Sequence, residues 1–169
     1  MKIRKALLVL LLTSSAIAAQ ALPVQVVFHV SMGQASATSV SGRLLVFAKL
    51  LGPDDKGPVA AVNMDQIDTR ATAIAAQEVA HLEPGATVAL YADVTAFPTP
   101  FSQLKPGRYA VQAVLDRDHS YNYTGRGPGD LVSGVVEMDL PGDADHVLTL
   151  ATASPKSIPS SHCSTCRPR

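Results

Sequence analysis

The sequence predicts an all-β protein, an antiparallel β-sandwich of about seven strands. Three observations predict it. Apolar residues recur at every second position rather than at the 3.6-residue period of a helix. Turn signals punctuate the chain at short intervals: Gly52-Pro53, Gly57-Pro58, Pro84-Gly85, Pro106-Gly107, Gly127-Pro128-Gly129 and Pro141-Gly142. The segments between them are strand-sized, and almost none carries a helical pattern. Isolated strands of this kind would leave backbone groups unpaired and one apolar face wet. Pairing them into two sheets and closing the sheets face to face solves both problems.

The chain is 169 residues long and opens with a targeting pattern. Lys2, Arg4 and Lys5 precede the apolar run Ala6–Leu12, and Thr13–Ala21 turns small and polar. That is the three-part design of a secretory signal peptide, with cleavage expected after Ala19-Gln20-Ala21 and Ala16-Ile17-Ala18 as the alternative site. The apolar run falls short of the roughly 20 residues that span a bilayer, so no stable membrane insertion is expected. The expected organisation is therefore a signal peptide over 1–21, a sandwich domain over 22–151 and a tail over 152–169. The expected location is secreted or periplasmic.

The strands follow in order. Val24, Val26, Phe28 and Val30 share one face of the first. Leu44, Val46, Ala48 and Leu50 oppose Arg43, Leu45, Phe47 and Lys49 in the second. Glu78–Leu82 reads as a strand, with the start of a short helix over Ala71–Gln77 as the alternative. Ala86–Ala92 follows the Glu83-Pro84-Gly85 turn. In Arg108–Leu115, Tyr109, Val111, Ala113 and Leu115 oppose Ala110, Gln112 and Val114; Gln112, if buried, needs a partner. A further strand opens near Ser133, where Val136, Met138 and Leu140 alternate with Glu137 and Asp139. His146, Leu148 and Leu150 mark the last. Each strand is expected to turn one face to a core and the other to solvent. The stretch after Ala151 is Ser/Pro/Lys/Arg-rich without periodicity and reads as a disordered tail.

The formal charge of zero hides an asymmetry. Residues 22–151 carry all fourteen acidic side chains and eight basic ones, a net charge near −6. Such a domain lacks the electrostatic footprint of a nucleic-acid binder. Aromatics are scarce and Trp is absent, so the core is built mainly from Val, Leu and Ala.

Two segments carry candidate chemistry. In the loop Asp116–Asp130, the residues Asp116, Arg117, Asp118, His119, Tyr121, Asn122, Tyr123 and Asp130 form the expected ligand or partner surface. Loops at the end of a rigid sandwich are common contact sites, and Tyr offers an apolar ring with a polar tip. The alternation Asp116, Asp118, Ser120, Asn122 invites a calcium reading. An EF-hand loop, however, needs Gly and Glu where Tyr121 and Gly127 stand, so no metal or other cofactor is assigned. The second segment is the tail. Cys163 and Cys166 are a candidate disulfide pair in an oxidising compartment. Zinc would want a fourth ligand beyond His162, Cys163 and Cys166, and Arg167 stands where haem attachment needs His. No Ser has the Gly-x-Ser-x-Gly context of a nucleophile elbow, so no catalytic residue is assigned.

Three pieces of the chain resemble a known family. They are Ser41-Gly42-Arg43 with Leu44–Phe47, Leu104–Leu115 with Pro106-Gly107 and Tyr109, and Pro128-Gly129-Asp130-Leu131 with Ser133. In order and spacing they resemble the non-catalytic N-terminal domain of secreted bacterial esterases of the enterochelin-esterase-like α/β-hydrolase type. The resemblance implies an Ig-like sandwich without the hydrolase half. It supplies no catalytic residue. The function expected is a secreted, non-catalytic module that binds a protein or small molecule or assists a separate enzyme. Two alternatives stand beside it: the N-terminal fragment of an esterase whose hydrolase domain is lost or separately encoded, and an envelope-associated structural protein with a disulfide-capable tail.

Overall fold

The computed structural model describes residues 25–33, 38–65, 67–122, 125–142 and 145–152. The expected signal peptide, Cys163 and Cys166 lie outside them. Among the described residues there are nine strands: β1 Val27–Met32, β2 Val40–Leu50, β3 Thr72–Leu82, β4 Thr87–Tyr91, β5 Ala96–Phe97, β6 Gly107–Asp116, β7 Leu131–Ser133, β8 Val136–Leu140 and β9 His146–Thr152. One 3-10 turn, Phe101–Gln103, precedes β6. No helix among these residues is long and apolar enough to cross a membrane.

Hydrogen-bonded neighbours run β4-β1-β9-β7-β6-β2-β3-β5, and β8 also pairs with β6. β7 and β8 lie end to end along β6: β7 on Val114 and Leu115, β8 on Gly107–Val111. Because β7 also pairs with β9, it carries the sheet from one layer into the other. The sheet folds over a main core in a sandwich-like arrangement. Phe28 and Val30 of β1, Leu90 of β4 and Leu148 and Leu150 of β9 pack with Leu44, Val46, Val111 and Leu115 of β2 and β6. Phe101 meets Phe28 edge-on, centroids 5.7 Å apart.

The structure corrects the sequence reading in four places. There are nine strands rather than about seven, because β5 and β7 have only two and three residues and leave no periodic signal. The sheet is not wholly antiparallel, since β1 and β9 run parallel from Phe28↔His146 to Met32↔Leu150. Alternation reports which face is buried and is blind to strand direction. Ala71–Gln77 does not start a helix: Thr72–Leu82 is one strand paired with β2 over most of its length. Finally, β2 and β6 do not turn one face to water. Leu45, Phe47, Ala110 and Val114 of their second face are buried under a strap, residues 51–65, through Val62 and the partly buried Val59.

The strap is held by one buried polar knot. Gln112 Oε1 accepts from the N–H of Val62 (2.8 Å) and from Arg126 Nη2 (2.6 Å). Its Nε2 donates to the carbonyl of Ser133 (2.7 Å), and Arg126 Nη2 also donates to the Val62 carbonyl (3.0 Å). The partner that a buried Gln112 requires is thus found three times over.

Candidate functional site

The loop between β6 and β7 begins and ends on a buried carboxylate. Asp116 and Asp130 are both 0% exposed. A buried charge is tolerated only where it is well paired. Asp116 Oδ1 accepts from the N–H of Ser120 (2.9 Å), and its Oδ2 accepts from Arg43 Nη2 (2.7 Å) and from the N–H of Tyr121 (3.3 Å). Asp130 accepts the N–H of Arg117 on Oδ1 (3.2 Å) and of Gly127 on Oδ2 (2.7 Å). These two residues therefore hold the loop's shape from inside.

The other expected contact residues separate cleanly. Tyr121 is half-buried, tilted on Phe47 at 5.2 Å, and its hydroxyl accepts from the N–H of Met64 (3.2 Å). Burial raises its pKa above that of a free phenol. Arg117, Asp118, His119 and Asn122 are exposed. His119 takes a φ of 58°, rare for a residue with a side chain, and its Nε2 lies 3.0 Å from Glu78 Oε2 on β3. Tyr123 lies outside the described residues.

Asp116, Asp118 and Asp130 bring carboxylate oxygens within 4.8 Å of one another. Burial raises the Asp130 pKa, and the neighbouring Asp116 and Asp118 charges add to it, against the N–H groups of Gly127 and Arg117. The Ser120 hydroxyl, and then its N–H, pull Asp118 below the usual carboxylate range. Three clustered carboxylates have the chemistry to hold a hard cation. Here the loop's own N–H groups and Arg43 already account for their arrangement. Burial lowers the pKa of Arg126, the nearby cation of the polar knot.

The sequence reading did not foresee what the loop leans on. Arg43 and Glu78 are cross-strand partners on β2 and β3, and they carry Asp116 and His119 respectively. The same two residues line a groove of ≈ 650 Å³ with Ala76, Tyr91 and Val94. Tyr91 and Val94 are 48% and 80% exposed. Loop and groove thus form one continuous face across β2, β3 and the turn between β4 and β5. Its one sequence signal is Tyr91, an aromatic on the outward phase of a strand whose inward phase is Leu90 and Ala92. No described serine hydroxyl is hydrogen-bonded to a histidine. No family model matches the chain, and neither a curated protein nor a solved structure matches it.

Proposed function

We propose that the chain is a secreted, non-catalytic β-sandwich module that binds a ligand or partner at the loop-and-groove face. One observation carries the reading. The ≈ 650 Å³ groove, with Tyr91 and Val94 exposed in its wall, abuts a loop fixed from within by Asp116 and Asp130. A concave surface with exposed apolar walls and a few convergent polar groups is the usual form of a binding site. A loop already locked in shape loses little freedom on binding. Arg43, Glu78 and His119 supply the polar groups, and Tyr91 supplies an amphipathic ring. The signal-peptide pattern of residues 1–21 supports secretion. The resemblance of Ser41–Phe47, Leu104–Leu115 and Pro128–Leu131 to an esterase N-terminal domain supports an Ig-like, accessory role.

The test is a fragment screen of the full chain by amide-resolved NMR, using soluble aromatic and sugar fragments. Hits are expected to shift Ala76–Glu78, Val94 and His119, and to be lost in Tyr91→Ala/Val94→Ser, whose exposed side chains leave the core intact. Hits that map elsewhere, or that survive this variant, overturn the reading, as does a screen without hits. A p-nitrophenyl ester panel is expected to show no turnover above buffer. Saturable hydrolysis would refute the non-catalytic assignment.

A further inference from the structure

A second hollow opens at the opposite end of β2 and β6 from the loop, where Leu50 faces Tyr109 rather than Arg43 facing Asp116. Its origin is in the sequence. Ala48 of β2 and Ala73 of β3 are direct cross-strand partners, both buried on the core side. Two methyl groups stand where most strands would place Val, Ile or Leu. The space they leave is a hollow of ≈ 310 Å³ between Tyr109, Leu50 and Leu104. The Tyr109 hydroxyl donates to the carbonyl of Lys105 (2.8 Å), which fixes that residue's backbone beside the hollow.

The lining is mostly apolar, and its only charged residues are Arg70 and Lys105. Both are exposed, and neither makes an ion pair with any described residue. In a domain of net charge near −6, two unpaired cations and no acid at one apolar hollow are a local departure from the overall balance. We propose that this hollow binds a small amphiphile. Its carboxylate head is held by Arg70 and Lys105, and its short apolar body lies against Ala48, Ala73 and Tyr109. The volume lies at the low end of the about 300–1,000 Å³ usual for ligand sites, which suits a short chain rather than a whole lipid. Charge-assisted bonds to two cations set the preference for an anion over a neutral body of the same length.

The experiment titrates the isotope-labelled full chain with sodium octanoate, and in parallel with 1-octanol and octylammonium. Octanoate is expected to shift the amides of Ala71, Ala73, Leu104 and Tyr109 saturably. Octanol is expected to bind about tenfold more weakly or worse, and octylammonium not at all. Arg70→Gln/Lys105→Gln is expected to bind octanoate no better than octanol, and Ala73→Leu to bind neither. The double variant changes only exposed side chains, so the test stands even where the filled core of Ala73→Leu disturbs folding. Undiminished octanoate binding in the double variant overturns the proposal. So does an equal response to octanol in the native chain, or the absence of saturable shifts at these four residues. The loop-and-groove face reports on other residues, so either site can fail without the other.

Discussion

Replacing Gln112 by Leu removes the polar knot while keeping nearly the same volume. The Val62 N–H and the Ser133 carbonyl lose their partner; these residues are 1% and 4% exposed, so water cannot replace it. Each stranded group costs about 1–3 kcal/mol, and the lost bond to a guanidinium about 1.5–3 kcal/mol. Arg126 loses its 2.6 Å bond to Gln112 and keeps the 3.0 Å bond to the Val62 carbonyl. Against about 5 kcal/mol of loss stands about 1–2 kcal/mol from the two buried methyl groups that replace the amide. The expected net loss is about 3–4 kcal/mol, a large part of the about 5–15 kcal/mol typical of a domain. With a urea slope of about 2 kcal/mol/M, the midpoint falls by about 1.5–2 M. Hydrogen exchange at Val62 is expected to accelerate beyond what global destabilisation gives, because the strap loses its tether. A loss under about 1 kcal/mol for Gln112→Leu would refute the argument that this knot holds the strap.

Three further outcomes are expected. In Gly42→Ala the new Cβ would lie 2.5 Å from the Asp116 carbonyl oxygen and 2.8 Å from the Arg117 Cα, at a φ of 151°; both neighbours are backbone, so a loss of about 2 kcal/mol or more is expected in chemical denaturation. Asp130 holds its proton to higher pH when folded than unfolded, because of burial and then the Asp116 and Asp118 charges. Its contribution to stability is therefore full below the ordinary carboxylate value of about 4 and is lost as pH rises through the raised folded value. Urea midpoints measured upward from pH 4 are expected to fall relative to Asp130→Asn, and a difference independent of pH would contradict the assignment. Tyr121→Phe keeps the packing on Phe47 but strands the Met64 N–H, at about 0.5–1.5 kcal/mol; unchanged stability would mean that water replaces the hydroxyl.

Much of the fold was legible because the inward residues of β1, β2, β4, β6, β8 and β9 alternate cleanly. β3 was only half legible. Thr72–Gln77 is rich in Ala, whose intrinsic preference is helical, and pairing with β2 and β5 overrides it. The second buried face was not legible at all, although its residues were in plain view. Ala110, Gln112, Val114 and Asp116 share one phase of β6, and Arg43, Leu45 and Phe47 share the facing phase of β2. Mixed polar and apolar character in one phase reads as a solvent face. Here it is a roofed face whose polar members are paired by residues far along the chain, Val62 fifty residues from Gln112 and Arg43 seventy-three from Asp116. Local periodicity carries no information about a partner at that separation.

The roofed face also decides what mutation of the loop can reveal. Asp116 belongs to the same phase as Gln112, and Asp130 ties back to the loop's own N–H groups. Removing either carboxylate therefore takes away the acceptor that the backbone N–H groups of Arg117, Ser120 and Gly127 converge on, and with it what holds the loop in place. Lost binding in such a variant would not distinguish contact from collapse. Arg117, Asp118 and His119 present their side chains to solvent on that fixed frame, and of the three only His119 reaches another element, through Glu78. Glu78 lines the groove, so His119→Ala removes the imidazole that sits against it and frees a carboxylate at the groove wall in one step. Glu78→Gln leaves the ring in place and removes only the charge. If the groove binds through its apolar wall, both variants leave affinity nearly unchanged, whereas Tyr91→Ala abolishes it. If it binds a cationic group through Glu78, Glu78→Gln weakens binding and His119→Ala strengthens it, because the imidazole competes for the same oxygen. The opposite signs expected of these two substitutions separate a polar mode of recognition from an apolar one without disturbing the frame that positions either.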